Sequence, residues 1–301
     1  MDPHTLDGII NLDKPRGKTS FSAVARVRRL TAGRKVGHSG TLDPDASGVL
    51  PVFIGRAARL ARFITDLPKV YSAVIEFGCA TATYDSSGSV TDRGDPSGLT
   101  RERIEGALDS FRGPIEQIPP MYSAVKWEGK PLYHLARAGM EIARKPRRVM
   151  IYRLSVTQWR NPLLTIEVEC GKGTYIRSIA HDLGRALGCP AHLNELTRTR
   201  SGPFRIEDAV SLTELEESFA RGDWQRYVHP PELAVAHLEI IRVDDAGEED
   251  FLHGRPLSSA GFTAPCGDEY RRVHARDGRF LGVARFSLQE EALWRPVIVF
   301  S

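Results

Sequence analysis

The sequence predicts an α+β fold with a mixed, mainly antiparallel sheet and a small β-rich unit at its C-terminal end. Three observations carry this expectation. Strand-like runs such as "VYSAVIEFG" and "LLTIEVEC" and helix-like runs such as "RERIEGALDSF" follow one another without a regular strand-helix-strand repeat. The pair Pro230–Pro231 stops the helical pattern ahead of it. Beyond that pair only short strand-like runs remain, "YRRVHA", "RFLGVARF" and "WRPVIVF", separated by turns. The expected division is a large unit over residues 1–232 and a small one over 233–301.

In chain order, "GIINLDKPRGKTS" opens with an apolar strand, turns at Pro15 and Gly17, and offers Thr19 or Ser20 as the N-cap of the helix "FSAVARVRRL". That helix carries Arg26, Arg28 and Arg29, which suit either a solvated face or phosphate contacts. "VYSAVIEFG" has the β-branched and aromatic content of a strand, and "RERIEGALDSF" the spacing of an amphipathic helix. Residues of about 119–148, "PPMYSAVKWEGKPLYHLARAGMEIARKPRR", mix Pro, Gly, aromatic and basic residues, a composition suited to an arm that orders on nucleic acid. Two strands follow in "VMIYRLSVTQW" and "LLTIEVEC", then a helix in "GTYIRSIAHDLGRALG" that should end at Gly188.

The 301 residues, 41% hydrophobic and 26% charged, have an ordinary globular composition. No apolar run approaches the roughly 20 residues needed to span a bilayer, and "MDPHTLDGII" lacks a basic stretch leading into an apolar one, so a cytoplasmic protein with no membrane partner is expected. Cys79, Cys170, Cys189 and Cys266 are too widely spaced for a disulfide framework or a zinc knuckle and are expected to be reduced and mostly buried. Net charge is +3, but residues 236–301 hold 8 arginines against 11 acidic residues, leaving the larger part at +6 and the tail at −3. The basic excess on the larger part suits a polyanionic partner or an evenly solvated surface.

Several motifs fail on inspection. "LDKPRGKTS" ends like a phosphate-binding loop but has Leu12 where the first glycine belongs. "GHSGT" resembles a nucleophile elbow, yet Gly40 follows Ser39 directly, which leaves a hydrolase built on Ser39, His38 and Asp43 as a weak alternative. His181 and Asp182 lack a partner at metal-ligand spacing and fit surface or capping roles, while His134 and His192 fit structural ones. No metal site is expected.

What remains is a carboxylate in "GHSGTLDPDASGVLPVFIGRAARL". Pro44 keeps Asp43 out of helical geometry, and the surrounding glycines allow a bulky ligand to approach the backbone. A carboxylate acting without metal or cofactor can attack as a nucleophile or stabilise an oxocarbenium ion, as in glycosidic-bond chemistry. On a polynucleotide such chemistry also needs an aromatic to stack on an extruded base, a basic group to orient the acid, and a filler for the vacated stack. Tyr71, Tyr175, Arg177 and His38 are the candidates.

Together, and in this order, "LDKPRGKTS", "GHSGTLDPDASGVLPVFIGRAARL", "PPMYSAVKWEGKPLYHLARAG" and "GKGTYIRSIAHDLGRALG" resemble the TruB family of tRNA pseudouridine synthases over about residues 8–210. The resemblance implies a pseudouridine synthase core with a mixed, mainly antiparallel sheet, an RNA-clasping insertion at "PPMYSAVK", and a PUA-like RNA-binding unit at the C-terminus. It implies conversion of the uridine at position 55 of the tRNA T loop to pseudouridine without cofactor or metal; no guide RNA is expected, and a monomer is expected. Asp43 would be the catalytic aspartate, with Arg177 pairing to it and lowering its pKa. Tyr71 would stack on the base and handle the C5 proton, His38 would hold the disrupted loop, and Tyr175 and Leu196 would line the substrate pocket. In the small unit, Arg271 and Arg272 would be the local patches that reach the RNA. A guide-RNA-dependent synthase and a non-catalytic RNA-binding protein are the rival readings that share these motifs.

Overall fold

The computed structural model describes residues 6–258, 269–287 and 293–300. Its main sheet runs, edge to edge, through Val210–Ser211, Gly8–Lys14, Ser47–Ile54, Ala191–Ser201, Lys69–Phe77, Leu163–Cys170, Arg147–Arg160 and Gly113–Gln117, with three further short strands off this path. The Gly8–Lys14 strand runs parallel to Val210–Ser211, and Ser47–Ile54 runs parallel to Ala191–Ser201. The other neighbours on the path are antiparallel, so the mixed, mainly antiparallel sheet expected from sequence is present.

Burial follows from side-chain alternation. In Leu163–Cys170 every second residue, Leu164, Ile166, Val168 and Cys170, is buried. That face packs against the helices Arg101–Leu108 and Ile176–Leu187 through Ile104, Leu108, Ile179 and Leu183. Each such apolar side chain contributes about 1.5–3 kcal/mol by leaving water. Gly188 ends the second helix at φ 68°, where its N–H reaches the Arg185 carbonyl. At the N-terminus, Thr19 is the cap of the helix Ser20–Leu30 and accepts from the Ser22 N–H at 3.0 Å. Ala23 and Val27, one turn apart, bury against Ile10, Leu12, Leu50 and Val52.

Residues 118–146 leave the sheet, form a short hairpin from Lys126–Trp127 and Lys130–Pro131, and add the helix Leu132–Arg137. The sheet resumes at Arg147, so the last two residues of the expected insertion already belong to a strand. The small C-terminal sheet orders Ile240–Arg242, Glu269–His274, Phe280–Ser287 and Leu293–Val299, around Phe251, Phe286 and Trp294. It shares a core with the main sheet, where Val283 and Ile298 meet Ile9, Val49 and Phe53 alongside Ala234 and Val235.

Several sequence readings are resolved or corrected here. Arg26 forks onto Glu216 of the helix Leu212–Arg221, which makes it structural, while Arg28 and Arg29 remain exposed. Arg271 is buried, pairs with Glu239 and Glu269, and lies over the Trp294 ring at 4.9 Å. Arg272 pairs with Glu232 and donates to the Leu238 carbonyl. Arg271 is thus held within the small unit and Arg272 joins it to Glu232 at the end of the large one, so the expectation of an RNA-contacting patch at these two residues is not met. Cys170 and Cys189 are buried and Cys79 half-buried, all as free thiols; Cys266 lies outside the described residues. No helix among the described residues is long and apolar enough to cross a membrane.

The parallel pairing of Ser47–Ile54 with Ala191–Ser201 depends on Gly48. Its φ is +101°, and a Cβ there would stand 2.3 Å from the Arg198 carbonyl oxygen, which is backbone and has nowhere to move. Gly48→Ala combines strain with a clash and should destabilise the large unit by about 3 kcal/mol. Chemical unfolding of the two proteins checks this, and equal midpoints would refute it.

Candidate active site

The loop carrying Asp43 is held by two side chains from the N-terminal strand and helix. The Ser20 hydroxyl accepts from the Leu42 N–H at 2.9 Å and donates to the Leu42 carbonyl at 3.1 Å, fixing the peptide groups on both sides of Leu42. Lys14, fully buried, donates to the carbonyls of Pro15, Lys18 and Pro44. Burial lowers the Lys14 pKa to about 8, a cost that the nearby Asp45 and Asp43 charges partly offset. The Gly17 N–H also donates to the Pro44 carbonyl at 2.8 Å. The string that failed as a phosphate loop is thus the anchor of the Asp-Pro turn.

Against this turn stands Arg177, placed on the first turn of the helix Ile176–Leu187 and only 4% exposed. One guanidinium nitrogen lies 2.9 Å from the Asp43 carboxylate and donates at 3.0 Å to the Tyr122 carbonyl. The other lies 3.5 Å from Asp85 and donates at 3.2 Å to the Thr83 carbonyl. Asp85 is itself held by the Thr83 and Ser87 hydroxyls at 2.6 Å each. The expected pairing of Asp43 with Arg177 is present; Asp85, the second carboxylate, was not anticipated from sequence.

The electrostatic balance at Asp43 differs from the sequence reading. Loss of hydration raises its pKa, Arg177 pulls it down, and the Asp85 charge pushes it up again, with a net rise above the ordinary carboxylate value. Protein crowds the carboxylate closely, yet 44% of the side chain is open to the cleft, which moderates that rise. Tyr71 sits opposite, on the Lys69–Phe77 strand, where burial raises its phenol pKa and keeps the hydroxyl protonated. Tyr71 is registered against Arg198 of the neighbouring strand. Arg198 is 1% exposed and donates to the Val49 and Gly40 carbonyls at 2.7 and 3.1 Å, tying that strand to the glycine-rich loop.

Two adjoining spaces meet at Asp43 and Arg177. The inner one, about 160 Å³, is lined by Tyr71, Tyr175, Leu196 and Leu42. The outer one, about 460 Å³, opens past His38, Phe21, Tyr122, Tyr133 and Arg137. Of the six sequence candidates, Asp43, Tyr71, Tyr175, Arg177 and Leu196 share the inner pocket, and His38 stands on the wall of the outer cleft. Burial lowers the His38 pKa, and its Nδ1 accepts from the Gly40 N–H at 3.3 Å. Ser39 is wholly buried and its hydroxyl makes no hydrogen bond among the described residues, which removes the serine-hydrolase alternative. His192 is buried against the Cys79 carbonyl at 3.1 Å, as a structural residue should be. His181 stacks on Tyr84 at 3.9 Å. Among the described residues no group of three His, Cys, Asp or Glu is placed to hold a metal ion.

Sequence reasoning missed Lys14, Ser20, Asp85 and Arg198. Lys14 ends a strand that also carries Asn11 and Asp13, so its residue type gave no signal, and all four gain meaning only from contacts along the chain.

Comparison with known proteins matches residues 28–176 to the TruB family pseudouridylate synthase N-terminal domain and residues 177–236 to the tRNA pseudouridylate synthase B C-terminal domain. A tRNA pseudouridine synthase B of Dehalococcoides mccartyi (strain ATCC BAA-2266 / KCTC 15142 / 195) is 42% identical, covering 98% of this chain and 97% of that protein. One of Symbiobacterium thermophilum is 49% identical over 83% of this chain and 82% of that protein. Among solved structures, Cbf5 in a Cbf5-Nop10-Gar1 complex aligns at a TM-score of 0.76 with 28% identity, covering 100% of this chain and 85% of that one.

The charge balance around Asp43 gives a direct expectation. An NMR titration of its carboxyl carbon should give a midpoint above 3.8, and Asp85→Asn should lower it by removing the repelling charge. A wild-type midpoint below 3.8 would show that Arg177 outweighs desolvation.

Proposed function

The chain belongs to the TruB family of pseudouridylate synthases, and from that premise we propose that it converts the uridine at position 55 of the tRNA T loop to pseudouridine. The observation that carries this reading is the Asp43–Arg177 pair at 2.9 Å, set at the mouth of a pocket whose walls are Tyr71, Tyr175 and Leu196. The reaction is an isomerisation: the N1–C1′ bond breaks, a C5–C1′ bond forms, the C5 proton leaves and N1 ends protonated. No atom is gained or lost, which suits a site offering a carboxylate and a phenol.

In this mechanism the target uridine leaves the loop stack and enters the inner pocket. Extrusion costs a few kcal/mol, offset by phosphate contacts and by roughly 1–3 kcal/mol of stacking on Tyr71. Asp43 is the reacting carboxylate, and Arg177 fixes its direction. Tyr71, whose phenol is protonated, acts on the C5 proton as a relay, passing its own hydroxyl proton to solvent as it takes up the one leaving C5, while Tyr175 and Leu196 hold the base and His38 supports the opened loop. Because the ionised carboxylate is the reactive form, turnover should fall as pH drops through the raised Asp43 pKa.

Cbf5 in the solved relatives is bound to Nop10 and Gar1, which raises the guide-dependent alternative. The higher identity to tRNA pseudouridine synthase B, 42% over nearly the whole chain, supports action on tRNA by this chain alone. A place of action in the cytoplasm, where tRNA is the substrate pool, accords with the same relatives. The large unit supplies the site, and the small unit beyond about residue 233 is proposed as an accessory RNA-binding element.

Purified chain incubated with an unmodified tRNA transcript, without guide RNA or added metal, should yield one pseudouridine, in the T loop. Asp43→Asn should lower turnover by a factor on the order of 10³ or more while binding persists. Tyr71→Phe should keep binding and lose most turnover. Undiminished turnover in Asp43→Asn would refute the role of Asp43, and wild-type turnover in Tyr71→Phe that of the hydroxyl. Tight binding without product from the wild-type chain would favour the guide-dependent reading.

A further inference from the structure

The outer cleft has a volume of about 460 Å³ against about 160 Å³ for the inner pocket. If the target base fills the inner pocket, the outer one has room for another nucleotide. On its rim stands Phe21, 81% exposed, the most exposed large apolar side chain among the described residues. It makes no ring or cation contact among those residues.

An exposed phenylalanine on a mobile segment would be unremarkable, but the position of Phe21 is fixed. It lies in the first turn of the helix Ser20–Leu30, directly after Ser20, whose hydroxyl holds both polar groups of Leu42. It also follows the Thr19 cap. The Phe21 backbone is therefore tied to the same loop that carries Asp43. Across the cleft stand Tyr133, with the Arg137 guanidinium 5.7 Å from its ring centre, and His38. A bare aromatic face fixed beside groups that suit a polyanion matches the chemistry of an unpaired base with its phosphate.

We propose that Phe21 is a positioning residue that stacks the base of a nucleotide adjacent to the target uridine, holding it in the outer cleft while the target occupies the inner pocket. The inference rests on the RNA-loop substrate proposed above and adds a second base-binding position to it. Stacking on Phe21 strengthens binding of the opened loop without touching the reacting atoms, so its loss raises KM and leaves kcat in place.

The test is steady-state kinetics of wild type, Phe21→Ala and Phe21→Trp on a T stem-loop RNA, repeated on two versions lacking the base immediately 5′ or 3′ of the target. On the intact RNA, Phe21→Ala should raise KM about tenfold, equivalent to roughly 1.4 kcal/mol of lost stacking, with kcat within about twofold. Phe21→Trp should restore the wild-type KM. On one of the two abasic RNAs the wild-type KM should rise to that of Phe21→Ala, and the substitution should then have no further effect. A KM unchanged by Phe21→Ala, or a penalty that persists on both abasic RNAs, overturns the proposal while wild-type turnover of the intact RNA keeps the functional reading. Absence of product from the wild-type chain overturns both.

Discussion

A buried arginine organises this molecule. Arg177 has almost no contact with water, so its charge must be met by protein groups. Three segments supply them: Asp43 from the glycine-rich loop, Asp85 and the Thr83 carbonyl from the stretch after the Lys69–Phe77 strand, and the Tyr122 carbonyl from the insertion. Removing the guanidinium would leave two carboxylates facing each other and two carbonyls without donors. The group that pairs with Asp43 is thus a structural junction, and it ties the insertion to the core beside the pocket.

Around that junction the backbone is fixed by side chains that react with nothing. Lys14 gathers three carbonyls, Ser20 grips Leu42 by its N–H and its carbonyl, and Arg198 ties its strand to Gly40 and Val49. Each is buried, and each satisfies polar groups that would otherwise be stranded away from water. Positioning of this kind fixes the geometry and the local charge through which side chains lower a barrier.

Charge is distributed according to task. The arginines of the small unit are largely consumed in ion pairs, Arg271 with Glu239 and Glu269, Arg272 with Glu232, Arg279 with Asp277 and Glu248. On the large unit, basic and aromatic residues are left open at the cleft rim and on the insertion, where Arg137, Trp127 and Phe21 stand.

What the sequence determined by itself is what local chemistry dictates. The alternation in Leu163–Cys170 set a strand with one buried face, Thr19 set the start of a helix, Gly188 set the end of another, and Asp43-Pro44 set a rigid acidic turn. The order of the motifs also pointed to the candidate residues, and the Asp43–Arg177 pair was expected by resemblance. Tertiary structure decided the rest: that Asp85 shares Arg177, that Asp43 is shifted upward, that Arg271 and Arg272 face inward, and that Phe21 is left bare at the cleft. The physical reason is range. Capping and alternation act between residues a few positions apart and leave a periodic trace, whereas a pKa or an ion pair depends on whichever distant segment the fold brings within a few ångströms, and no periodicity records that.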